Sequence, residues 1–334
     1  MTAAAPLPRV RTAAGPGAPP VVVFLNGLGE TLDFWDPVVR LLDGVATFRY
    51  DRPGRRPRDP GLGLAGEVDE VVRITSELPG PLVLVGHSYG GVLAEAVART
   101  VPDRVGALVL IDATVPEEYA VDAAPADAVD AAPADAAPAA ADADAEPTGQ
   151  PSPADGAMRD WARRIALSDR SRPLLRFALP KLMLGLGTAN GTFRGVLSEL
   201  PRDLPAHLAA KSHLGRSAHD NLHLPGYCAE LIAWRDLAPF PPIPVRIVVG
   251  RLNSRLWKRT QKSWVDQQVA QLPLFGADVQ LNTTASAHMV MFDQPLMVAG
   301  AIESAIAAIA GAGAGAGAAG EAPAGAVPNA EGEQ

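Results

Sequence analysis

The segment that most narrows the possible folds is Gly86-His-Ser88-Tyr-Gly90-Gly91, which follows the apolar run Leu82-Val-Leu-Val85 and opens an amphipathic stretch, Gly90–Val101. A serine in a G-x-S-x-G pattern between a buried strand and a helix requires a sharp turn with little room for side chains. Gly86 and Gly90 supply that room. The turn lifts the Ser88 hydroxyl above the carboxyl edge of a sheet. The helix beginning beside it offers backbone N–H groups to any negative charge that develops there.

The rest of the chain repeats the strand-then-helix alternation. Short apolar runs bounded by turn residues lie at Val21–Leu25, Val45–Tyr50, Ala107–Ile111, Val245–Val249 and Asp278–Leu281. Helical patterns fall between them, at Gly66–Leu78, Trp257–Leu272 and Pro295–Ala310. Nearly continuous Val/Leu strands alternating with helices predict an α/β fold with a mostly parallel sheet flanked by helices on both faces. Between Ile111 and Val245 no comparable strand occurs. Residues 155–238 read instead as an inserted helical cap, with helices expected at Met158–Leu175 and Tyr227–Leu237. The core is therefore expected in two pieces, 18–118 and 239–310.

Three stretches lack the large apolar side chains that would offset the entropy of ordering. They are residues 1–17, the Ala/Pro/Asp segment 119–154, and the Gly/Ala-rich tail 311–334. The middle one contains the octapeptide VDAAPADA twice, at 121–128 and 129–136. It reads either as a repeat expansion in a loop or as a lid or contact segment. These stretches account for the whole net charge of -8; the remainder balances 27 acids against 27 bases. The acidity thus describes a loop and a tail, gives no reason to expect a cationic substrate, and argues against a nucleic-acid partner. A single cysteine, Cys228, excludes an internal disulfide and a Cys-cluster metal site. No run reaches the ~20 apolar residues of a membrane span, and the amino terminus lacks a secretory pattern. The expectation is a soluble cytoplasmic protein. Arginine outnumbers lysine 25 to 4 and alanine, glycine and proline abound, a composition of GC-rich bacterial genomes.

With these motifs in place the chain resembles the α/β-hydrolase fold superfamily. The resemblance covers the serine turn and three further stretches. Leu25-Asn-Gly-Leu-Gly29 is similar to the His-Gly-x-Gly loop of that superfamily, with Asn26 in place of its usual histidine. Tyr50-Asp-Arg-Pro-Gly54 resembles the loop after the next strand; Asp51 and Arg52 read as structural. Ala287-His-Met-Val-Met-Phe-Asp-Gln-Pro295 resembles the histidine loop before the last helix. The resemblance implies Ser88 as nucleophile, and the backbone N–H groups of Leu28 and Tyr89 as the oxyanion hole.

Six histidines compete for the role of general base. His87 flanks the serine, and its side chain is expected to point away from the hydroxyl. His207, His213, His219 and His223 fall in the expected cap. His219 and His223, four residues apart, share a helix face but come with no carboxylate or histidine set for a metal. His288, after the last strand, is the one positioned to reach over the sheet edge. Asp293 nearby reads as a helix cap. The acid is less conventional. The superfamily places it after the strand that here ends in Val249-Gly250-Arg-Leu-Asn253, and the position holds an amide, Asn253. Asp112, after Leu108-Val-Leu-Ile111, ends at the same sheet edge and is the expected orienting acid. Asn253 is the alternative acid position; a loop-capping aspartate is the other reading of Asp112.

Together these features predict a hydrolase that forms an acyl-serine intermediate on an ester-type bond of a small hydrophobic molecule. It would need no metal and no organic cofactor. A serine nucleophile argues against haloalkane dehalogenase and epoxide hydrolase chemistry, which uses an aspartate there. Ester, lactone, thioester and amide bonds stay open. So do an acyltransferase, a carbon–carbon bond hydrolase, a cofactor-free haloperoxidase, and a binding protein that has lost its acid. Oligomeric state is not legible.

Overall fold

Along each central strand the apolar side chains alternate between two cores, as a pleated sheet covered on both faces requires. In the computed structural model, which describes residues 10–13, 20–53, 55, 59–120, 211–251 and 258–318, seven strands form one sheet. They are β1 (Val10–Ala13), β2 (Val21–Leu25), β3 (Ala46–Tyr50), β4 (Leu82–His87), β5 (Val105–Ile111), β6 (Val245–Gly250) and β7 (Val279–Thr284). Their order is β1-β3-β2-β4-β5-β6-β7. Six run parallel, and β1 pairs antiparallel with β3 at the edge.

Val21, Val23, Leu25, Leu82, Leu84, Leu108 and Leu110 face one core. Packed on it are α2 (Gly63–Thr75), α3 (Tyr89–Thr100) and α5 (Lys211–Leu237), the last being the fifth helix after α1 (Asp36–Val39) and α4 (Pro116–Ala120). Val22, Phe24, Val83, Val85, Val109 and Ile111 face the other core. There α1, α7 (Val290–Asp293) and α8 (Pro295–Ala318) close the second layer. Helix α6 (Lys258–Ala270) precedes β7. The three-layer arrangement is that of an α/β-hydrolase sheet.

Several boundaries differ from expectation. Strand β1 lies inside the segment 1–17, whose composition suggested no element; backbone pairing to β3, from Val10↔Tyr50 to Ala13↔Thr47, forms it without a buried apolar stripe of its own in the sequence. Helix α8 continues to Ala318, into the tail expected to lack structure; alanine, the best helix former, offsets the interspersed glycines. Helix α2 starts at Gly63, three residues earlier than its apolar pattern suggested. Helix α5 spans 27 residues, beginning well before the expected helix Tyr227–Leu237 and running through Pro225. Leu224, Tyr227, Cys228 and Leu231 form a buried stripe at helical spacing, and that packing outweighs the missing proline N–H. The expected helix Met158–Leu175 and the repeat at 121–136 lie outside the described residues.

Candidate active site

Strand β4 ends at His87, and Ser88 sits between it and α3 with φ 52° and ψ -124°, a conformation that L-residues rarely adopt. Ser88 N–H donates to Ile111 O at 3.2 Å, and its carbonyl accepts from Gly91 N at 2.9 Å and Thr114 N at 3.0 Å. The strained backbone is thus held from both sides. The glycines are required by close approach. A Cβ on Gly86 would lie 2.3 Å from Gly90 O, and one on Gly90 would lie 2.1 Å from Leu25 O. Tyr89 is the first residue of α3, where a helix leaves its N–H without an intrahelical acceptor. Ser88 itself is half-buried.

Adjacent parallel strands deliver the other side chains to this edge. His87 is in register with Ile111, so Asp112 emerges beside Ser88. Asp112 also has a positive φ, 41°. Its Oδ2 lies 2.7 Å from His288 Nδ1. Its Oδ1 accepts from Gly250 N at 3.0 Å and from Trp264 Nε1 at 3.0 Å. The Asp112 side chain is only 6% exposed, whereas the His288 side chain is 43% exposed. One end of the imidazole is therefore tied to a buried acid while the ring stays accessible. Asp293, expected as a helix cap, is the last residue of α7, and its carboxylate accepts from Ser286 Oγ at 3.0 Å and Ala287 N at 3.4 Å. It braces the histidine loop. Asn253 lies outside the described residues.

The loop after β2 carries Leu28. Asn26 anchors its start, donating to Tyr50 O at 3.1 Å and accepting from Trp35 Nε1 at 2.8 Å. Arg52 Nη2 donates to Gly27 O at 2.8 Å, and Glu30 N–H reaches the same oxygen at 3.4 Å. In a trans peptide the C=O and the following N–H point in opposite directions. Holding Gly27 O therefore turns Leu28 N–H the other way. Asp51 accepts from Leu32 N at 2.7 Å, tying the neighbouring loop to the same segment.

Arg52 joins this loop to α5. It pairs with Asp220 at 2.9 Å and lies over the Tyr89 ring, 4.7 Å from its centroid. Arg216 bridges Asp220 at 2.6 Å and Glu67 at 2.5 Å. Although burial alone would raise it, the Asp220 carboxyl is held below its ordinary value by Arg52, the adjacent His219 at 3.6 Å, and Arg216. His219 is fully buried, with its ring centroid 4.4 Å from that of His223. Burial, and then the His219 charge, push the His223 pKa down. His207 and the side chain of His213 lie outside the described residues. Among the described residues no three His, Cys, Asp or Glu side chains gather as a metal site. No helix among them is long and apolar enough to cross a membrane.

Sequence reasoning missed two residues beside this edge. His87 does turn away from Ser88, but its Nε2 lies 2.8 Å from His288 O, and its Nδ1 lies 2.5 Å from Glu30 Oε1. Glu30 also accepts from Gly27 N at 2.6 Å. The only local signal was an acid three residues past the first loop glycine; its histidine partner is far along the chain.

A strand-to-helix serine, an acid-tethered histidine and a braced glycine loop thus share one sheet edge. The chain is 35% identical over 122 residues to an esterase of Mycobacterium tuberculosis, covering 33% of this chain and 41% of that protein. It is 32% identical over 104 residues to the lipase LipV of the same organism, covering 30% of this chain and 40% of the relative. The matched stretch thus spans about two fifths of either relative. The structure resembles a thermophilic esterase from Thermogutta terrifontis with a TM-score of 0.57 at 18% identity, covering 90% of this chain and 93% of that one. The alpha/beta hydrolase family model matches residues 22–301, and the chain belongs to that family.

Proposed function

We propose that the protein is a serine hydrolase that cleaves an ester-type bond of a small hydrophobic substrate. Ser88 attacks the carbonyl carbon while His288 Nε2 takes the hydroxyl proton. The carbonyl π-electrons move to oxygen, and the N–H groups of Leu28 and Tyr89 receive that charge. As the carbonyl re-forms, the bond to the leaving oxygen breaks and His288 returns the proton to it. Water then attacks the acyl-serine by the same proton route, releasing the acid and free Ser88. Asp112 fixes the tautomer with Nδ1–H toward itself and stabilises the imidazolium.

The observation that carries this reading is the 2.7 Å contact between Asp112 and His288 Nδ1. It supplies an acid where the usual position holds an amide, and so weighs against a binding protein without a working histidine. The esterase and lipase names of the relatives agree with ester chemistry. The test is a series of p-nitrophenyl esters of increasing acyl length together with a fluorophosphonate probe. Wild type should turn over short to medium esters and become covalently labelled, and Ser88→Ala should do neither. Turnover that survives Ser88→Ala would overturn the assignment.

A further inference from the structure

Resting on that hydrolase reading, we infer that Glu30 and His87 form a second carboxylate–histidine pair, kept as carboxylate and imidazolium, which positions the oxyanion loop and the histidine loop relative to each other. The inference stands on what faces each ring nitrogen. His87 Nδ1 lies 2.5 Å from a Glu30 carboxylate oxygen, and Nε2 lies 2.8 Å from the backbone carbonyl of His288. Both partners are acceptors. A neutral imidazole has one N–H and one lone pair, so it would set that lone pair against one of them. The imidazolium donates from Nε2 to the carbonyl and sets a positive Nδ1 edge, not a lone pair, against the carboxylate as a close ion pair. The other Glu30 oxygen accepts from Gly27 N at 2.6 Å, so both carboxylate oxygens have partners. The His87 and Glu30 side chains are 0% and 2% exposed, so water cannot substitute for either contact without a rearrangement.

The other groups around the ring fit this state. The His288 ring lies against it with centroids 4.5 Å apart, and Trp35 presents its ring at 6.5 Å and 82°. Burial draws the His87 pKa down. The charge and close contact of Glu30, the His288 carbonyl and the more distant Asp112 more than reverse this, and the group titrates above its ordinary value. Because Glu30 neutralises the imidazolium, the charge beside His288 is offset. The pair touches both loops: Glu30 holds Gly27, next to Leu28, and His87 holds the carbonyl of the base itself. Neither residue touches substrate in this scheme; they are positioning residues.

Deprotonation of His87 at alkaline pH would leave a lone pair facing His288 O or Glu30 and release one loop. The experiment combines two readouts on the full chain. The first is a ¹⁵N spectrum of the histidine side chains at about pH 7.5, with the His87 signals identified by their absence in His87→Gln. Both His87 nitrogens should carry protons in wild type, and one should lose its proton in Glu30→Gln. The second is the pH profile of p-nitrophenyl acetate hydrolysis. Glu30→Gln should move the alkaline fall in kcat down by about one pH unit or more and lower kcat about ten- to a hundredfold with KM little changed. Glu30→Asp should recover part of the loss. His87→Gln, which keeps an amide donor toward His288 O but cannot titrate, should flatten the alkaline limb. A neutral His87 in the wild-type spectrum overturns the inference, as does an alkaline limb indifferent to both Glu30→Gln and His87→Gln. If wild type neither hydrolyses esters nor reacts with a fluorophosphonate, the hydrolase reading fails, and the spectrum still decides the state of the pair.

Discussion

Replacing Asp112 by asparagine isolates what the buried carboxylate does for His288. The substitution changes one atom at the 2.7 Å contact with Nδ1. The asparagine oxygen can stay on the Oδ1 side, where Gly250 N and Trp264 Nε1 both donate at 3.0 Å. Its NH₂ then faces Nδ1 as a donor. The imidazole must answer with a lone pair at Nδ1 and carry its proton on Nε2, the nitrogen that should accept from Ser88. The charge that stabilises the imidazolium is lost as well. The same exchange in a serine protease triad lowers turnover by ~10⁴, which corresponds to about 5.4 kcal/mol of transition-state stabilisation. The expected result is a loss of that order in kcat for p-nitrophenyl acetate, with KM little altered. Because both donors to Oδ1 keep their acceptor, the thermal midpoint should stay close to wild type. Asn253→Ala should cost far less. A folded Asp112→Asn protein that retains more than about a tenth of wild-type kcat would show that Asp112 does not orient the base.

Three other outcomes test the architecture around the site. Gly90→Ala places a Cβ 2.1 Å from Leu25 O; backbone atoms must move, and a loss of about 3 kcal/mol, read by urea unfolding, should accompany loss of fluorophosphonate labelling. Arg216→Met leaves the buried carboxylates of Glu67 and Asp220, now 2.5 and 2.6 Å from the guanidinium, without that cation; removal of one partner of such a cluster costs about 3–5 kcal/mol, measurable in the same way. The depressed pKa of His223, caused first by burial and then by His219, means that the unfolded chain binds a proton more readily than the folded one. Stability from this group is present at neutral pH and declines as pH falls through the ordinary histidine range near ~6.5. His223→Gln should therefore show a shallower fall in thermal midpoint on acidification, and an identical slope would refute the assignment.

The sequence legibly marked elements whose periodicity and local chemistry agree. Six of the seven strands coincide with short apolar runs, to within a few residues. The serine turn was visible because small residues, strand and helix must all be adjacent in sequence. Strand β1 was not visible, since its formation depends on the edge of β3. The course of α5 through Pro225 was hidden for a similar reason: the stripe that stabilises it gains its energy only against the core. At the site, Asp112 could be proposed because parallel strands end at one edge. The role of Glu30 could not, because its partner His87 lies more than fifty residues away and no spacing rule connects them.

What the sequence determined by itself is the fold class and the strand-to-helix turn that carries Ser88, both set by patterns a few residues long that the backbone must obey locally. What only the tertiary structure decided is which groups meet. The pairing of Asp112 with His288 spans 176 residues, that of His87 with the His288 carbonyl spans 201, and that of Arg216 with Glu67 spans 149. Hydrogen bonds and ion pairs of this kind depend on distance to a few tenths of an ångström and on which acceptor lies behind each donor. Those quantities are fixed by how strands order in the sheet and how helices pack on it.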